Sequence, residues 1–218
     1  MNEILLAIVE GVTAFAATNV DDLIILLLFF AQTSATFRPH HVVSGSYWGF
    51  AALVAFSLVG FLGGLVVSSA WIGLLGILPI ILGIKQLMQR EQEDVQVQEV
   101  TNDVSGISSY PPFIAGVLQL LHPQVYKVAT VTFANGGDNI GIYVPLFAAS
   151  DAIILGVILI VFFLLKGVWC YAAYRSTQNP SIAYVLARYG HSVVPFLLIG
   201  LGLFILWKNG TYKLLIRR

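Results

Sequence analysis

Long apolar stretches separated by short polar turns dominate this chain of 218 residues. A helix that crosses a bilayer needs about 20 mostly apolar residues, and six stretches approach or exceed that length. They are residues 4–31, 41–67, 71–88, 124–149, 151–174 and 190–207. The pattern therefore predicts an all-α integral membrane protein with six transmembrane helices.

The connecting segments are polar and divide the chain into three parts. Residues 89–110 are rich in Gln, Glu, Asp, Ser and Thr and predict a loop outside the membrane. Residues 112–121 are apolar but too short to span, and Pro123 suits the first turn of a new helix. The predicted parts are a first three-helix repeat (1–88), a polar loop with a short apolar segment (89–123), and a second three-helix repeat with a basic C-terminal tail (124–218).

Two polar islands interrupt the first and the fourth apolar stretches. They are Thr18-Asn19-Val20-Asp21-Asp22 and Asn135-Gly136-Gly137-Asp138-Asn139, which align without a gap at a spacing of 117 residues. Pro79 and Pro195 open similar Pro-aliphatic-Gly stretches at a spacing of 116. Three spans per repeat is an odd number, so the second repeat enters the membrane from the opposite side. The sequence therefore predicts two inverted three-helix repeats, a plan found in many secondary transporters.

The islands favour broken first helices near the membrane midplane. Gly136 and Gly137 favour a break because glycine tolerates unusual backbone dihedrals, and Asp138 can cap the helix that follows. A break frees carbonyl oxygens beside carboxylate and amide oxygens. This ligand set suits divalent cations such as Mn²⁺ and Ca²⁺, and exchange of such a cation for protons is one route to coupled transport.

The candidate metal-binding residues are the polar members of the two islands. They are Asp21, Asp22, Asp138, Asn139, Asn19, Asn135 and Thr18. Asp21 and Asp138 rank first because they are partners in the repeat. Adjacent residues point about 100° apart on an intact helix, so Asp21 and Asp22 need not face one cavity. A capping role for Asp138 and local backbone bonding by Thr18 and the two amides stay open as alternatives.

Glu10 is a candidate for an outer access path to the site. It precedes Asp21 by eleven residues and shares its face on an intact helix. An interfacial Glu10 without a role in transport is an equally good interpretation.

Composition supports the membrane class and limits the partners. Hydrophobic residues make up 58% of the chain and charged residues 10%, against about 45–50% and about 25% in soluble domains. The formal net charge of zero gives no indication of a nucleic-acid partner. Cys170 is the single cysteine, which excludes an intrachain disulfide. We expect no resident cofactor; the expected partners are the lipid bilayer and a divalent cation, and a homo-oligomer is compatible with the sequence.

The basic residues predict an orientation. The loops after the odd-numbered stretches carry Arg38, Arg90, Arg175 and Arg188, with Lys85 and Lys166 assigned near helix ends, whereas the loops after stretches two and four carry no Lys or Arg. The positive-inside rule then places the odd-numbered loops in the cytoplasm and both termini outside. The basic C-terminal tail argues for the opposite orientation. The four tryptophans are mostly assigned to an interfacial belt, and Gly45 with Gly49 to helix packing.

Two motifs carry a family resemblance that covers nearly the whole chain. They are Ala17-Thr18-Asn19-Val20-Asp21-Asp22-Leu23 and the longer stretch from Thr132 to Ala148. In these motifs the chain resembles the cadmium resistance transporter family, CadD type, of the lysine-exporter superfamily. The resemblance implies a bacterial inner-membrane exporter of Cd²⁺ with Asp21, Asp22 and Asp138 as its central polar residues. Since Cd²⁺ is soft and the islands offer only oxygen ligands, Mn²⁺ or Ca²⁺ is an alternative cargo.

Other functions fit the sequence less well. An exporter of an amino acid or another small organic solute is the runner-up. It ranks below a cation exporter because three acidic residues suit a cation better than a zwitterion. An intramembrane aspartyl protease is a remote alternative in which two aspartates share a proton; the chain has Gly136-Gly137-Asp138 where such proteases carry Gly-x-Gly-Asp. No nucleotide-binding loop supports an ATP-driven pump, and a sensory or structural subunit stays open. The sequence predicts secondary active export of Cd²⁺ by a transporter that is not an enzyme.

Overall fold

The computed structural model describes residues 2–66, 69–89, 122–177, 195–209 and 211, and every element in it is helical. The helices are α1 (Asn2–Thr18), α2 (Val20–Ala31), α3 (Pro39–Gly64), α4 (Ser69–Gly73), α5 (Ile77–Gln89), α6 (Pro123–Asn135), α7 (Ile140–Ala148), α8 (Ala152–Ser176) and α9 (Pro195–Lys208), with a 3₁₀ turn at Leu74–Gly76. The predicted polar loop, the short apolar segment after it and the basic tail after Thr211 lie outside the described residues, apart from Gln89, His122 and Pro123. The all-α prediction is confirmed for the described part of the chain.

Two helices are long and apolar enough to cross a membrane alone. They are α3 with 26 residues and α8 with 25 residues. Glu3–Thr18 and Val20–Ala31 qualify together as one span bent by 58°. The described residues thus contain two candidate spans, or three if the bent pair counts as one, while Trp71–Lys85 and Pro195–Lys208 form shorter apolar helices. The helical, membrane-spanning character of the prediction is therefore confirmed, whereas the number of six spans stays a prediction.

Local sequence explains where the helices begin. Pro123 occupies the first turn of α6, where a missing backbone N–H costs little. The carboxylate of Asp151 accepts the backbone N–H groups of Ile153 and Ile154, both at 2.9 Å, and so caps α8. Both starts agree with the sequence. Helix α3 instead begins at Pro39, inside the segment predicted to be a polar turn.

Both polar islands break their helices, as predicted. Asn19 separates α1 from α2, and residues 136–139 form the turn between α6 and α7. A Cβ atom on Gly136 would meet the end of the Leu53 side chain, so any larger residue there would force Leu53 of α3 to move. Asn139 stands at the N-cap of α7 without a side-chain capping bond. The break is therefore held by packing and turn geometry rather than by an asparagine cap.

Each long helix packs along the broken helix of the other half of the chain. Helix α3 lies against α6 and α7, and α8 lies against α1 and α2. Along α3, a Cβ on Gly45 would meet Val125 and Val128, and one on Gly60 would meet Val144. The residue numbers of the contacting partners rise together along both helices, so α3 runs parallel to α6 and α7. The predicted packing role of Gly45 is confirmed, since added side-chain atoms would clash there.

The same reasoning gives the direction of the other pairs. Gly11 faces Val161 and the main chain of Asn19 contacts Trp169, so α1 and α8 are parallel. A Cβ on Gly76 would lie 2.7 Å from the carbonyl oxygen of Gly202. One on Gly83, in the Pro79 stretch, would lie 2.7 Å from that of Pro195. Here the residue number in the α5 region rises as that of its contact in α9 falls, so the two helices are antiparallel.

An aromatic cluster fills the space beside the breaks. Phe15, Phe50, Tyr143 and Phe162 are all fully buried. The ring centroids of Phe15 and Phe50 lie 5.8 Å apart, and those of Tyr143 and Phe162 lie 4.8 Å apart. The four rings come from α1, α3, α7 and α8, so the aromatic core packs both broken helices against both long helices.

Candidate cation site

The structure separates the four island positions into two environments. Asp22 and Asn139 are buried, at 2% and 3% exposure, whereas Asp21 and Asp138 are exposed. Residues that are aligned in the repeat therefore share an environment. The rotation between adjacent helical residues explains why Asp21 and Asp22 differ. The two aspartates ranked first from sequence are the exposed pair.

Asp22 is held by residues from two other helices. The Lys166 ammonium of α8 lies 2.6 Å from Asp22 Oδ2, and Asn135 Nδ2 of the second island donates to Asp22 Oδ1 at 2.9 Å. Lys166 is fully buried, and its Nζ lies 5.2 Å from the centre of the Phe50 ring. This bonding joins the two islands directly, and Asp138 lies within electrostatic range of Asp22.

Thr18 and Asn19 make both local and long-range bonds. Thr18 Oγ1 contacts the Ala14 carbonyl at 2.9 Å, and Asn19 Nδ2 donates to the Phe15 carbonyl at 3.0 Å. Local backbone bonding, left open by the sequence, is therefore real. Both side chains also bond the Tyr143 hydroxyl, at 2.8 Å each. Tyr143 belongs to α7, so the second half of the chain holds the first break.

Two amide atoms in the islands are buried without a hydrogen-bond partner among the described residues. They are Asn19 Oδ1 and Asn139 Nδ2. Such atoms are rare in folded proteins because leaving them unpaired costs about 1–3 kcal/mol. The Asn19 oxygen has the chemistry of a ligand for a hard cation. A half-turn of its terminal amide gives Asn139 the same capability.

The acidic side chains are not gathered into a ready-made metal site. Among the described residues, no group of three or more His, Cys, Asp or Glu side chains has the geometry to hold a metal ion. Asp22 forms its ion pair with Lys166. The arrangement supplies one buried carboxylate surrounded by amide and hydroxyl groups.

Glu10 pairs with a lysine from the last described helix. Its two carboxylate oxygens accept bonds from Lys208 Nζ at 2.9 and 3.1 Å, and Glu10 is 6% exposed. The bend at Asn19 removes the intact-helix geometry that relates Glu10 to Asp21. The structure therefore places Glu10 in an ion pair between α1 and α9.

Three residues around the breaks are not found by the sequence pattern. Lys166 is the fifteenth of the 25 residues of α8, so its assignment to a helix end is wrong. The indole Nε1 of Trp169 donates to the Asn19 carbonyl at 2.7 Å, so Trp169 lies at the break and is the exception among tryptophans that the sequence mostly assigns to the interfacial belt. A signal for Lys166 exists, because an unaccompanied charge inside a membrane span is costly. Tyr143 and Trp169 carry no comparable signal.

Comparison with known proteins gives one match that covers both islands. The family model described as cadmium resistance transporter matches residues 15–109 and 114–217. No curated protein and no solved structure matches the chain. Because the matched segments include nearly all of the chain, with both breaks and the residues that bond them, the protein belongs to the cadmium resistance transporter family.

Proposed function

We propose that this membrane protein exports Cd²⁺ across the bacterial inner membrane by secondary active transport. Family membership implies cadmium resistance transport. The proposed site lies between the two helix breaks and uses Asp22, the island amides and freed backbone oxygens. Asp21 and Asp138 are the proposed acidic residues on the path to and from that site. Exchange of the metal for protons at these carboxylates is the proposed source of energy.

The bond between the two islands is the observation that carries this proposal. Asn135 and Asp22 lie 113 residues apart in sequence and 2.9 Å apart in space. Tyr143 extends the same contact to Thr18 and Asn19. Secondary transporters commonly bind substrate between broken helices of two repeats. The two polar islands of this chain also lie at helix breaks, one in each half.

Helix directions support the proposed six-span inverted repeat. In six alternating spans, the first and fifth run parallel, the second and fourth run parallel, and the third and sixth run antiparallel. The pairs α1 with α8, α3 with α6, and α5 with α9 have these relations. The long helix of each half also packs on the broken helix of the other half. A twofold relation between the halves would produce this exchange.

The proposed orientation keeps the odd-numbered loops in the cytoplasm and both termini outside. Lys166 no longer contributes to the positive-inside count, since it is buried inside α8. Lys208 pairs with Glu10 at the end of α9, so it is also not a free charge of the tail. Arg38, Lys85 and Arg175 remain as described basic residues near the proposed cytoplasmic ends.

The donor atoms favour a second candidate cargo, Mn²⁺ or Ca²⁺. The bonded polar atoms of the two islands are oxygen and nitrogen, and hard oxygen ligands suit these ions. Cys170 is free and buried, four residues after Lys166 on α8. It is the one thiol near the site among the described residues. Replacing it with serine should weaken Cd²⁺ transport relative to Mn²⁺ transport if the thiol binds cargo.

Metal flux in proteoliposomes tests the proposed function. Purified wild type should move Cd²⁺ against its gradient when an opposing proton gradient is imposed. Asp21→Asn and Asp138→Asn should fold normally, because both residues are exposed, yet transport poorly. Normal flux in both variants would contradict the proposed role of these two carboxylates on the path to the site. Flux of Mn²⁺ without flux of Cd²⁺ would favour the second cargo.

A further inference from the structure

Lys166 is an unusual residue for the interior of a membrane helix. It has 0% exposure, and it lies in α8 after an apolar run. A buried ammonium is tolerated only beside a countercharge, since desolvation is costly. Its countercharge is Asp22, at 2.6 Å. A lysine therefore occupies the one buried carboxylate of the proposed transport site.

The bonding of Asp22 leaves an incoming cation in competition with this lysine. Oδ2 is taken by the ammonium and Oδ1 by the Asn135 amide. Stability alone is a poor reason for this pair, because well-packed apolar residues often replace buried ion pairs without loss. The pair puts a positive charge where the proposed cargo must bind.

Physical chemistry predicts which cations win that competition. A tethered group acts at an effective concentration of about millimolar or more. A monovalent ion offers Asp22 the same charge without this advantage. A divalent ion doubles the attraction at equal distance, and it can also bind further oxygen ligands around the site. When displaced, the flexible lysine keeps a favourable neighbour in the Phe50 ring, 5.2 Å away.

We propose that Lys166 determines the charge specificity of transport: its ammonium occupies Asp22 in the metal-free state, excludes Na⁺ and K⁺, and yields to a divalent cation. This inference rests on the proposed transport function. It assigns a role to a residue that bonds Asp22 and does not itself bind the metal.

Binding of Cd²⁺ to purified protein in nanodiscs tests the inference. Titrations are run in choline chloride and in sodium chloride at equal ionic strength. Wild type should give the same Kd in both salts. Lys166→Met should bind Cd²⁺ about tenfold more tightly in choline, equivalent to about 1.4 kcal/mol, and should lose that gain in sodium. Lys166→Arg should remain insensitive to sodium because it keeps the charge.

Lys127→Met is the matched control, since it removes another lysine from a helix of the same bundle. It should leave the ratio of the two Kd values at one. If Lys166→Met does not fold, Lys166→Gln replaces it, because an amide can still donate to Asp22 without carrying charge. The same tighter, sodium-sensitive binding is expected from Lys166→Gln.

Two outcomes would overturn the inference without touching the proposed function. In the first, the wild type transports Cd²⁺, but a folded Lys166→Met or Lys166→Gln variant binds Cd²⁺ with the same Kd in choline and in sodium. The other is complete loss of Cd²⁺ binding in both folded variants, which would make Lys166 a required structural partner. A wild type that neither binds nor transports divalent cations would instead end both proposals.

Discussion

Asp22 and Asp138 belong to equivalent islands but have different energetic roles. Asp22 is buried against Lys166 and Asn135, whereas Asp138 is exposed. Removing one partner of a buried pair leaves the other charge unpaired. Removing an exposed charge leaves nothing buried. The two aspartates can therefore be told apart by stability as well as by transport.

Asp22→Asn should lower the free energy of unfolding by about 3–5 kcal/mol, because Lys166 would be left without its carboxylate. Thermal unfolding in detergent measures this loss. Asp138→Asn should change stability by no more than about 0.5 kcal/mol. The double variant Asp22→Asn/Lys166→Met should recover most of the lost stability. Equal Tm values for Asp22→Asn and wild type would contradict the buried pair.

Tyr143 gives a second prediction for single residues. Tyr143→Phe removes the hydroxyl that bonds Thr18 and Asn19 at 2.8 Å each. Because Thr18 and Asn19 keep their local backbone bonds, the cost should be that of the lost hydrogen bonds, about 0.5–1.5 kcal/mol, with reduced metal flux. Tyr171→Phe, on the exposed face of α8, is the matched control and should leave both quantities unchanged. A Tyr143→Phe variant with wild-type Tm and flux would show that the bridge is dispensable.

Polar residues in an apolar run identify the islands from sequence alone, but not their partners. Asp22 and Asn135 stand out because each interrupts a membrane-length stretch. The bond from Asp22 to Lys166 joins residues 144 positions apart, and it depends on how α8 packs beside α2. Tyr143 and Trp169 look like ordinary apolar residues until the packing directs their polar atoms toward the break.

At the scale of helices, the break positions follow from sequence and the bend angle does not. Asn19 and Gly136 mark both interruptions. The 58° bend between α1 and α2 reflects the fit of two half-helices against α8 and the aromatic core. Glu10 shows the consequence, since its predicted alignment with Asp21 assumes a straight helix.

Glycine spacing on α3 leads to a prediction about helix packing. A Cβ on Gly60 would clash with the Val144 backbone, while one on Gly63 would meet nothing within 4 Å. Gly60→Ala should therefore cost about 1–3 kcal/mol through overpacking. Gly63→Ala should be neutral or stabilising by up to about 1 kcal/mol through helix propensity. Thermal unfolding of the two variants in detergent checks the contrast, which equal Tm values would refute.

At the scale of the whole molecule, the repeat spacing predicts two halves, and the structure adds how they interlock. The spacing of 117 residues relates the islands but gives no information on which helices touch. Helix α3 of the first half packs on α6 of the second half, and α8 of the second half packs on α1 of the first. Among the described residues, the main core cluster combines side chains from both halves, so we expect each half to need the other to fold.

Reporter fusions test the proposed orientation. A cytoplasmic reporter inserted near residue 100 should be active, because the positive-inside rule places the third loop in the cytoplasm. A reporter active only outside the cell should work at the C-terminus. Activity of a cytoplasmic reporter at the C-terminus would contradict the proposed six-span topology. The N-terminus supplies a third test point with the same expected location as the C-terminus.

The bond from Trp169 to the Asn19 carbonyl has an optical consequence. Trp48, Trp71 and Trp207 are 52%, 62% and 70% exposed, whereas Trp169 is partly buried with its indole fixed at 2.7 Å from the break. If the other three are replaced by phenylalanine, intrinsic fluorescence comes from Trp169 alone. Its emission maximum then reports the polarity at the hinge between α1 and α2, so a change in the bend during turnover can be followed in real time without an attached dye.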